Sequence, residues 1–325
     1  MSTVDSLRRQ FLRTALEAGA LAALGPGWAR AQDKPGRIRI GYQKYGTLVI
    51  LKARGALEKR LATAQVEVQW NEFPAGPQLL EALNVGSIDF GTVGEAPPIF
   101  AQAAGADLVY VGCEPASPAG EALVVPHDSP IQSVAELKGK KVALNKGSNV
   151  HYLLVRALEH AGVAYRDVST VFLPPADARA AFESKNVDAW AIWDPFLAAA
   201  QIQIGARILA DGQGLVSNHQ FYLAARSFAQ ERADLTRIVF EELGRVDAWG
   251  KDHPKELAAL LAPQLGLEPG VLELAASRYG YGVTPVSPAV IAEQQKIADT
   301  FADLKLIPRP ILVKNATLAT TGLPS

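Results

Sequence analysis

The 325 residues carry 32 lysines and arginines against 33 aspartates and glutamates, and no basic block marks a nucleic-acid-binding face. Hydrophobic residues make up 49% and charged residues 20%, an ordinary globular balance with length enough for one large core or two moderate ones. The single cysteine, Cys113, excludes an internal disulfide.

The N-terminus reads as an export signal. Leu7-Arg8-Arg9-Gln10-Phe11-Leu12-Arg13 is a twin-arginine pattern, a small apolar run follows, and Trp28-Ala29-Arg30-Ala31 offers an Ala-x-Ala cleavage site. The apolar run is too short, and too broken by Glu17 and glycines, to span a membrane. Removal of residues 1–31 leaves a slightly acidic mature chain, with no cysteine at the cut to carry a lipid anchor. That chain is expected free in the periplasm.

The mature chain opens with a strand at 37–42, a loop from Gln43 to Thr47, an apolar helix over 48–61 and a strand at 66–70. The stretch from Glu72 to Pro98 follows, and it reads as loop, helix, buried strand and glycine-rich turn into a second helix. Pro77 suits a first helical turn, and Gly86 suits the position just past the last. Leu79, Leu80 and Leu83 make an apolar stripe at helical spacing. The strand at 88–93 is too short for a helix. After it, Gly94-Glu95-Ala96 brings a helix N-terminus to the strand's carboxyl end, where open α/β sheets bind ligands. The stretch therefore looks like one wall of a small-molecule site, and a strand at 108–111 closes this part.

Ala122-Leu-Val-Val125 begins a second unit of the same kind. A capping box at 133–136, a strand at 141–144, a turn at 145–149, a helix over 150–161 and a strand at 169–173 succeed one another. A helix over 175–184 and strands at 187–193, 209–212 and 221–225 complete it, and from Ala229 onward the pattern is helical. Alternating strands and helices predict largely parallel sheets with helices on both faces. The expected arrangement is two lobes, one from 32–121 plus 226–325 and one from 122–225. Crossings near 119–125 and 218–226 would join them, with a ligand cleft between.

Six blocks carry a family resemblance: Gly41-Tyr-Gln-Lys44, Glu72-Phe-Pro-Ala-Gly-Pro77, Glu81-Ala-Leu-Asn-Val-Gly-Ser-Ile-Asp89, Pro97-Pro-Ile-Phe-Ala-Gln-Ala-Ala-Gly-Ala-Asp107, Pro175-Ala-Asp-Ala-Arg-Ala-Ala-Phe182 and Asn186-Val-Asp-Ala-Trp-Ala-Ile-Trp-Asp-Pro195. Together they resemble the periplasmic aliphatic-sulfonate-binding proteins (SsuA-type) that feed ABC importers, strongly over 37–226 and more loosely beyond. The resemblance implies an α/β, type II periplasmic-binding-protein fold that closes on its ligand like a hinged clamp. Each lobe would be a mixed, mostly parallel sheet flanked by helices, with two crossover segments. It also implies an alkanesulfonate ligand, the membrane permease of an ABC importer as partner, a monomer, and no cofactor or metal. A relative carries aspartate where this chain has Glu95, and residues 45–51 also differ. Both places are expected to line the cleft, which leaves the preferred sulfonate open.

A sulfonate is a permanent anion best held by many N–H and O–H donors, and helix N-termini supply them with a favourable dipole. Three turns offer such ends: Gln43, Tyr45, Gly46 and Thr47; Gly94, Glu95 and Ala96; and the turn before Ser148 and Asn149. Ser148 and Asn149 also suit plain capping, and Gln43 equally suits an ordinary loop amide. Trp193 is the first choice for an apolar wall, with Tyr45 and Phe221 behind it, while Trp190 alternates toward core. Asp194 borders the cleft by resemblance. His151 and Lys146 are candidates for positive potential. Glu95 either binds an amine or hydroxyl of the ligand, or orients a donor, or is a solvated loop side chain.

The histidines show no His-x-x-x-His spacing, and Gly-x-Ser-x-Gly and Walker-type loops are absent. The alternatives are a receptor for taurine, an arylsulfonate or nitrate, and a desulfinase-like enzyme on the same fold using Cys113. No adjacent histidine or cationic group in sequence lowers that thiol's pKa.

Overall fold

A computed structural model describes residues 36–318, so the export-signal reading lies outside the described residues. The first strands are β1 (Gly36–Tyr42), β2 (Val66–Glu72), β3 (Phe90–Val93) and β4 (Leu108–Cys113). They are followed by β5 (Glu121–Val125), β6 (Lys141–Leu144), β7 (Ser169–Phe172), β8 (Ala189–Trp193), β9 (Arg207–Asp211) and β10 (Phe221–Ala225). The expected 48–61 helix is two pieces, Thr47–Arg54 and Ala56–Ala62, because Gly55 between them takes the left-handed φ of 60° that ends a helix.

Two five-stranded sheets form, in the orders β2-β1-β3-β10-β4 and β7-β6-β8-β5-β9. In the first, β1 runs parallel to β3, and β10 lies antiparallel between β3 and β4. In the second, β6 is parallel to β7 and β8, while β5 is antiparallel to β8 and β9. Each lobe is thus a mixed sheet flanked by helices.

The strand at 221–225 corrects the expected lobe boundary, for it belongs to the first sheet and not to the second unit. Its alternate residues face two different cores. Tyr222 and Ala224 join Ile40, Leu48 and Val239 on one side, and Phe221 and Leu223 join Leu79, Ile99 and Phe301 on the other. A strand buried on both faces reads as continuously apolar, which fixes burial but not the sheet that takes it.

The segments joining the sheets are 114–120 and 212–220, some five residues earlier than expected in each case. They run side by side: Glu114 N–H donates to Gln220 O at 2.9 Å, Ser117 N–H to Ser217 O at 3.1 Å and Gly212 N–H to Pro118 O at 3.1 Å. The tail also departs from the expected plan. Its Ala233–Asp252 and Pro254–Leu265 helices cover the first sheet, but Val271 and Ala275 of the Pro269–Ala276 helix pack on Ala198 and Ala199 of the second lobe.

Candidate functional site

The carboxyl ends of β1 and β2 face those of β7 and β8 across a cavity of about 300 Å³. Gln43 and Lys44 follow β1, and Phe73 and Pro74 follow Glu72 at the end of β2. On the other lobe, Pro174, Pro175 and Ala176 follow β7, and Trp193 ends β8 just before Phe196. Such convergence of strand ends is where open α/β sheets place ligands. A larger groove of about 640 Å³, between the Asn149–His160 and Pro288–Asp303 helices, is lined by helix and loop residues only.

The cavity combines one cation, a few donors and aromatic walls. Lys44 Nζ lies 3.9 Å from Glu72 Oε1, a loose pair between half-exposed groups, and the Tyr42 hydroxyl donates to Glu72 Oε2 at 3.3 Å. Gln43 Nε2 donates to Thr92 O at 3.0 Å, which spends one of its two amide hydrogens. The Pro175–Glu183 helix begins at the wall. Pro174 is its N-cap and Pro175 its first residue, and no side chain caps it. Its first-turn N–H groups, at Ala176 and Asp177, are therefore an uncapped donor pair with the dipole's positive end behind them. The Trp193 and Phe196 rings meet edge-on at 6.5 Å.

Gly94, Glu95, Ala96, Ser148, Asn149 and His151 lie in a second part of the lobe boundary, which is shut where Gly94 meets Asn149 and has a cavity of about 330 Å³ on its linker side, beside Glu95. A Cβ at Gly94 would meet Asn149 Oδ1 at 2.4 Å, so the Asn149 amide of one lobe sits directly on the Gly94 backbone of the other. The helix after Gly94 to Ala96 adds few donors of its own, since Pro97 and Pro98 have no N–H and Ile99 N–H donates to Ala96 O at 3.0 Å. Ser148 Oγ donates to Asn145 O at 2.7 Å. Asn149 Nδ2 donates to Glu121 Oε2 at 2.6 Å and to Asn218 Oδ1 at 2.8 Å. Neither residue faces the cavity.

Glu95 is 1% exposed, which excludes the solvated reading. Its Oε2 accepts His219 N–H at 3.3 Å, and burial pushes its pKa up to about 8, against the partial relief of the His219 and Asn218 backbone donors. His151 carries no positive potential, contrary to expectation. It is fully buried, its Nδ1 accepts Gly147 N–H at 3.2 Å, and its Nε2 lies 2.7 Å from the Tyr165 hydroxyl. The ring proton thus sits on Nε2, and burial holds the pKa down at about 4, a neutral imidazole. Phe100 and Phe301 of the first lobe flank the ring at 6.1 and 5.5 Å.

Asp194 likewise faces inward. It has no exposure, accepts Ala198 N–H at 3.0 Å, and pairs at 3.3 Å with Arg278 of the tail. Burial raises it to about 6 although Arg278 pulls the other way. Beside it, Tyr45 reaches out of the first lobe into the second lobe's core, edge-on to Tyr279 at 4.7 Å. Gly46, at φ 80°, caps the next helix, and Thr47 Oγ1 lies 2.7 Å from Asp247 Oδ1 and 3.2 Å from Glu114 Oε1. A hydroxyl has one proton, which the shorter contact assigns to Asp247. Burial and Asp247 together hold Glu114 well above the usual carboxylate range. Phe221 is a second correction. It has no exposure, packs edge-on against Tyr110 at 5.0 Å inside the first lobe, and walls no cleft.

Comparison with known proteins agrees with this architecture. The model of the NMT1/THI5-like family matches residues 62–256, more than half of the chain. An aliphatic sulfonates-binding protein of Escherichia coli K12 is 46% identical over 295 residues, 90% of this chain and 92% of its own length. The alkanesulfonate-binding protein SsuA of Xanthomonas axonopodis pv. citri, solved bound to MOPS, superimposes with a TM-score of 0.84 at 44% identity, covering 88% of this chain and 99% of its own. The chain belongs to this aliphatic-sulfonate-binding protein family.

Its close relatives within the family are binding proteins. A desulfurization enzyme, DSZB, shares the fold at a TM-score of 0.63 and 17% identity, over 88% of this chain and 97% of its own. That likeness is one of fold alone. In the present family member Cys113 ends β4, is 3% exposed and lies 3.9 Å from Thr284 Oγ1. Burial, with Glu114 nearby, pushes the thiol up to about 11, so it is not a thiolate at neutral pH.

Sequence reasoning chose Gln43 and Trp193 on the cavity and passed over Lys44 and Phe196 beside them. The signal available was position: Lys44 is two residues past β1 and next to Gln43, and Phe196 opens the helix that starts three residues past Trp193. Pro174 to Ala176 carried a clearer one, an uncapped helix start opening on two prolines.

Proposed function

We propose that this protein is a periplasmic solute-binding receptor that captures aliphatic sulfonates between its two lobes and delivers them to the permease of an ABC importer. It would be exported on the twin-arginine signal, act as a monomer without cofactor or catalysis, and present its closed form to the membrane. The observation that carries the reading is the cavity where four strand ends converge, with Lys44 and an uncapped helix start beside an aromatic wall. A sulfonate's three oxygens would take the Ala176 and Asp177 N–H groups, the free Gln43 amide hydrogen and the Lys44 ammonium. Its carbon chain would lie on Trp193, Phe196 and Phe73, where aromatic area is gained at little entropic cost. Nitrate and sulfate lack the chain and forgo that half of the contact.

A melting panel of alkane-, amino- and arylsulfonates, sulfate and nitrate in phosphate buffer tests this. A ligand at 100 times its Kd adds about 2.7 kcal/mol to native stability. Upward shifts with alkanesulfonates and none with nitrate are expected. Absence of any shift with every sulfonate would overturn the reading.

A further inference from the structure

Each lobe contributes one carboxylate to the shut part of the boundary. Glu95 comes from the end of β3 in the first lobe and Glu121 opens β5 in the second, and they are 1% and 0% exposed. Asn149 ties Glu121 Oε2 to Asn218 of the linker, and Glu95 Oε2 takes the next linker N–H, that of His219. The other oxygen of each carboxylate, Oε1, is shut away with no hydrogen-bond partner among the described residues.

The groups facing the pair supply no compensating cation. Around Glu95 stand Glu293 and Lys296 of the Pro288–Asp303 helix, His219 of the linker and Tyr152 of the opposite lobe. Glu293 is engaged by Ser217 and His219, and Lys296 makes no ion pair with either buried carboxylate. Beside Glu121 lie Asn149 and the Tyr45 phenol. Two ionised carboxylates shut in together without a counter-ion are strongly disfavoured, and the cheapest remedy is a proton.

We propose that closure of the two lobes takes up at least one proton on the Glu95–Glu121 pair, so that acid favours the closed receptor. The pair spans the lobes, so opening lets water reach both carboxylates and returns them to their ordinary range. Burial holds Glu95 at about 8, and burial with Glu95 nearby holds Glu121 well above its ordinary value, which agrees in sign. For each proton taken up, the closed-to-open ratio falls about tenfold per pH unit between the ordinary carboxyl range and the raised one, then levels off. The inference rests on the hinge geometry and stands whatever ligand the cavity takes.

Small-angle scattering of the ligand-free full chain from pH 5 to pH 9 tests it. Buffers must be acetate, phosphate and borate, because MOPS and its kin are themselves sulfonates. The wild type is expected to expand as pH rises, and Glu95→Gln with Glu121→Gln to hold one radius throughout. Glu114→Gln serves as the control, since Glu114 and its partners Thr47, Tyr222 and Asp247 lie on one side of the boundary. It is expected to keep the wild-type transition. If circular dichroism shows the double variant unfolded, Glu121→Gln alone, which retains an acceptor for Asn149, must make the transition shallower. A wild-type radius independent of pH, or a transition as steep in the folded variants as in the wild type, overturns the proposal.

Discussion

The two parts of the lobe boundary use the same structural device to opposite ends. At the cavity, a helix start without a cap leaves donors free, and the side chains opposite it, Lys44 and Gln43, are only partly engaged. At the shut part, the helix start after Ser148 is equally uncapped, but the two lobes are pressed together in front of it. Pro97 and Pro98 carry no N–H on the facing start, and the Asn149 side chain lies on Gly94 and bonds to Glu121 and Asn218. A helix N-terminus at a strand end is thus not by itself an anion site. What distinguishes the two is whether the lobes leave space in front of the first turn.

Substitutions that break one part and spare the other separate these roles. The largest effect is expected from Arg278→Met, which strands the buried Asp194 carboxylate beside the second lobe. Removing one partner of such a pair costs about 3–5 kcal/mol, read as a lower denaturant midpoint. Gly94→Ala comes next. Its Cβ meets Asn149 at 2.4 Å, and overpacking of that kind costs about 1–3 kcal/mol. The clash exists only when the lobes are closed, so sulfonate affinity is expected to fall about tenfold to a hundredfold while the ligand-free melting temperature stays nearly constant. An equal loss of both would place Asn149 and Gly94 in a static core.

The pH limbs of stability sharpen the same contrast. His151 has a folded pKa near 4, below its unfolded value, so the unfolded chain binds the extra proton. Stability is therefore full above pH 6.5 and falls as pH drops toward 4, by at most about 1.4 kcal/mol per unit. Glu95 is opposite in sign. Its folded pKa is raised to about 8, so its contribution is full below the ordinary carboxyl range and is lost as pH rises through 8. Denaturation curves of His151→Gln should lose the acid limb and keep the alkaline one. The smallest effect is expected at Lys44→Gln. This partly exposed charge is worth about 1 kcal/mol or less, so affinity should weaken up to about fivefold, and less at high salt.

Much of the scaffold was legible along the chain because it depends on local periodicity. Leu79, Leu80 and Leu83, Pro77 and Gly86 mark their helix without reference to anything distant. The membership of Phe221 to Ala225 was not, since both faces of that strand are buried and its neighbours, β3 and β4, lie more than a hundred residues earlier. The burial of Glu95 and of His151 was hidden for the same reason. A carboxylate in a Gly-Glu-Ala turn looks ligand-facing until His219 and Asn218 arrive from the return linker, and a histidine in a first helical turn looks exposed until Phe301 covers it. Asp194 is decided by Arg278, 84 residues on. Trp190 was read correctly because alternation along one strand suffices to bury it.

The central claim is that a sulfonate sits between Lys44, the Pro175 helix start and the Trp193 wall. Calorimetric titration of butane-1-sulfonate into the wild type, Trp193→Ala and Lys44→Gln in phosphate buffer tests it most directly. Saturable binding at one site per chain is expected, weakened at least about tenfold by Trp193→Ala, in keeping with the few kcal/mol of a buried aromatic, and only slightly by Lys44→Gln. Binding of wild-type strength in Trp193→Ala, with its fold intact by circular dichroism, would contradict it.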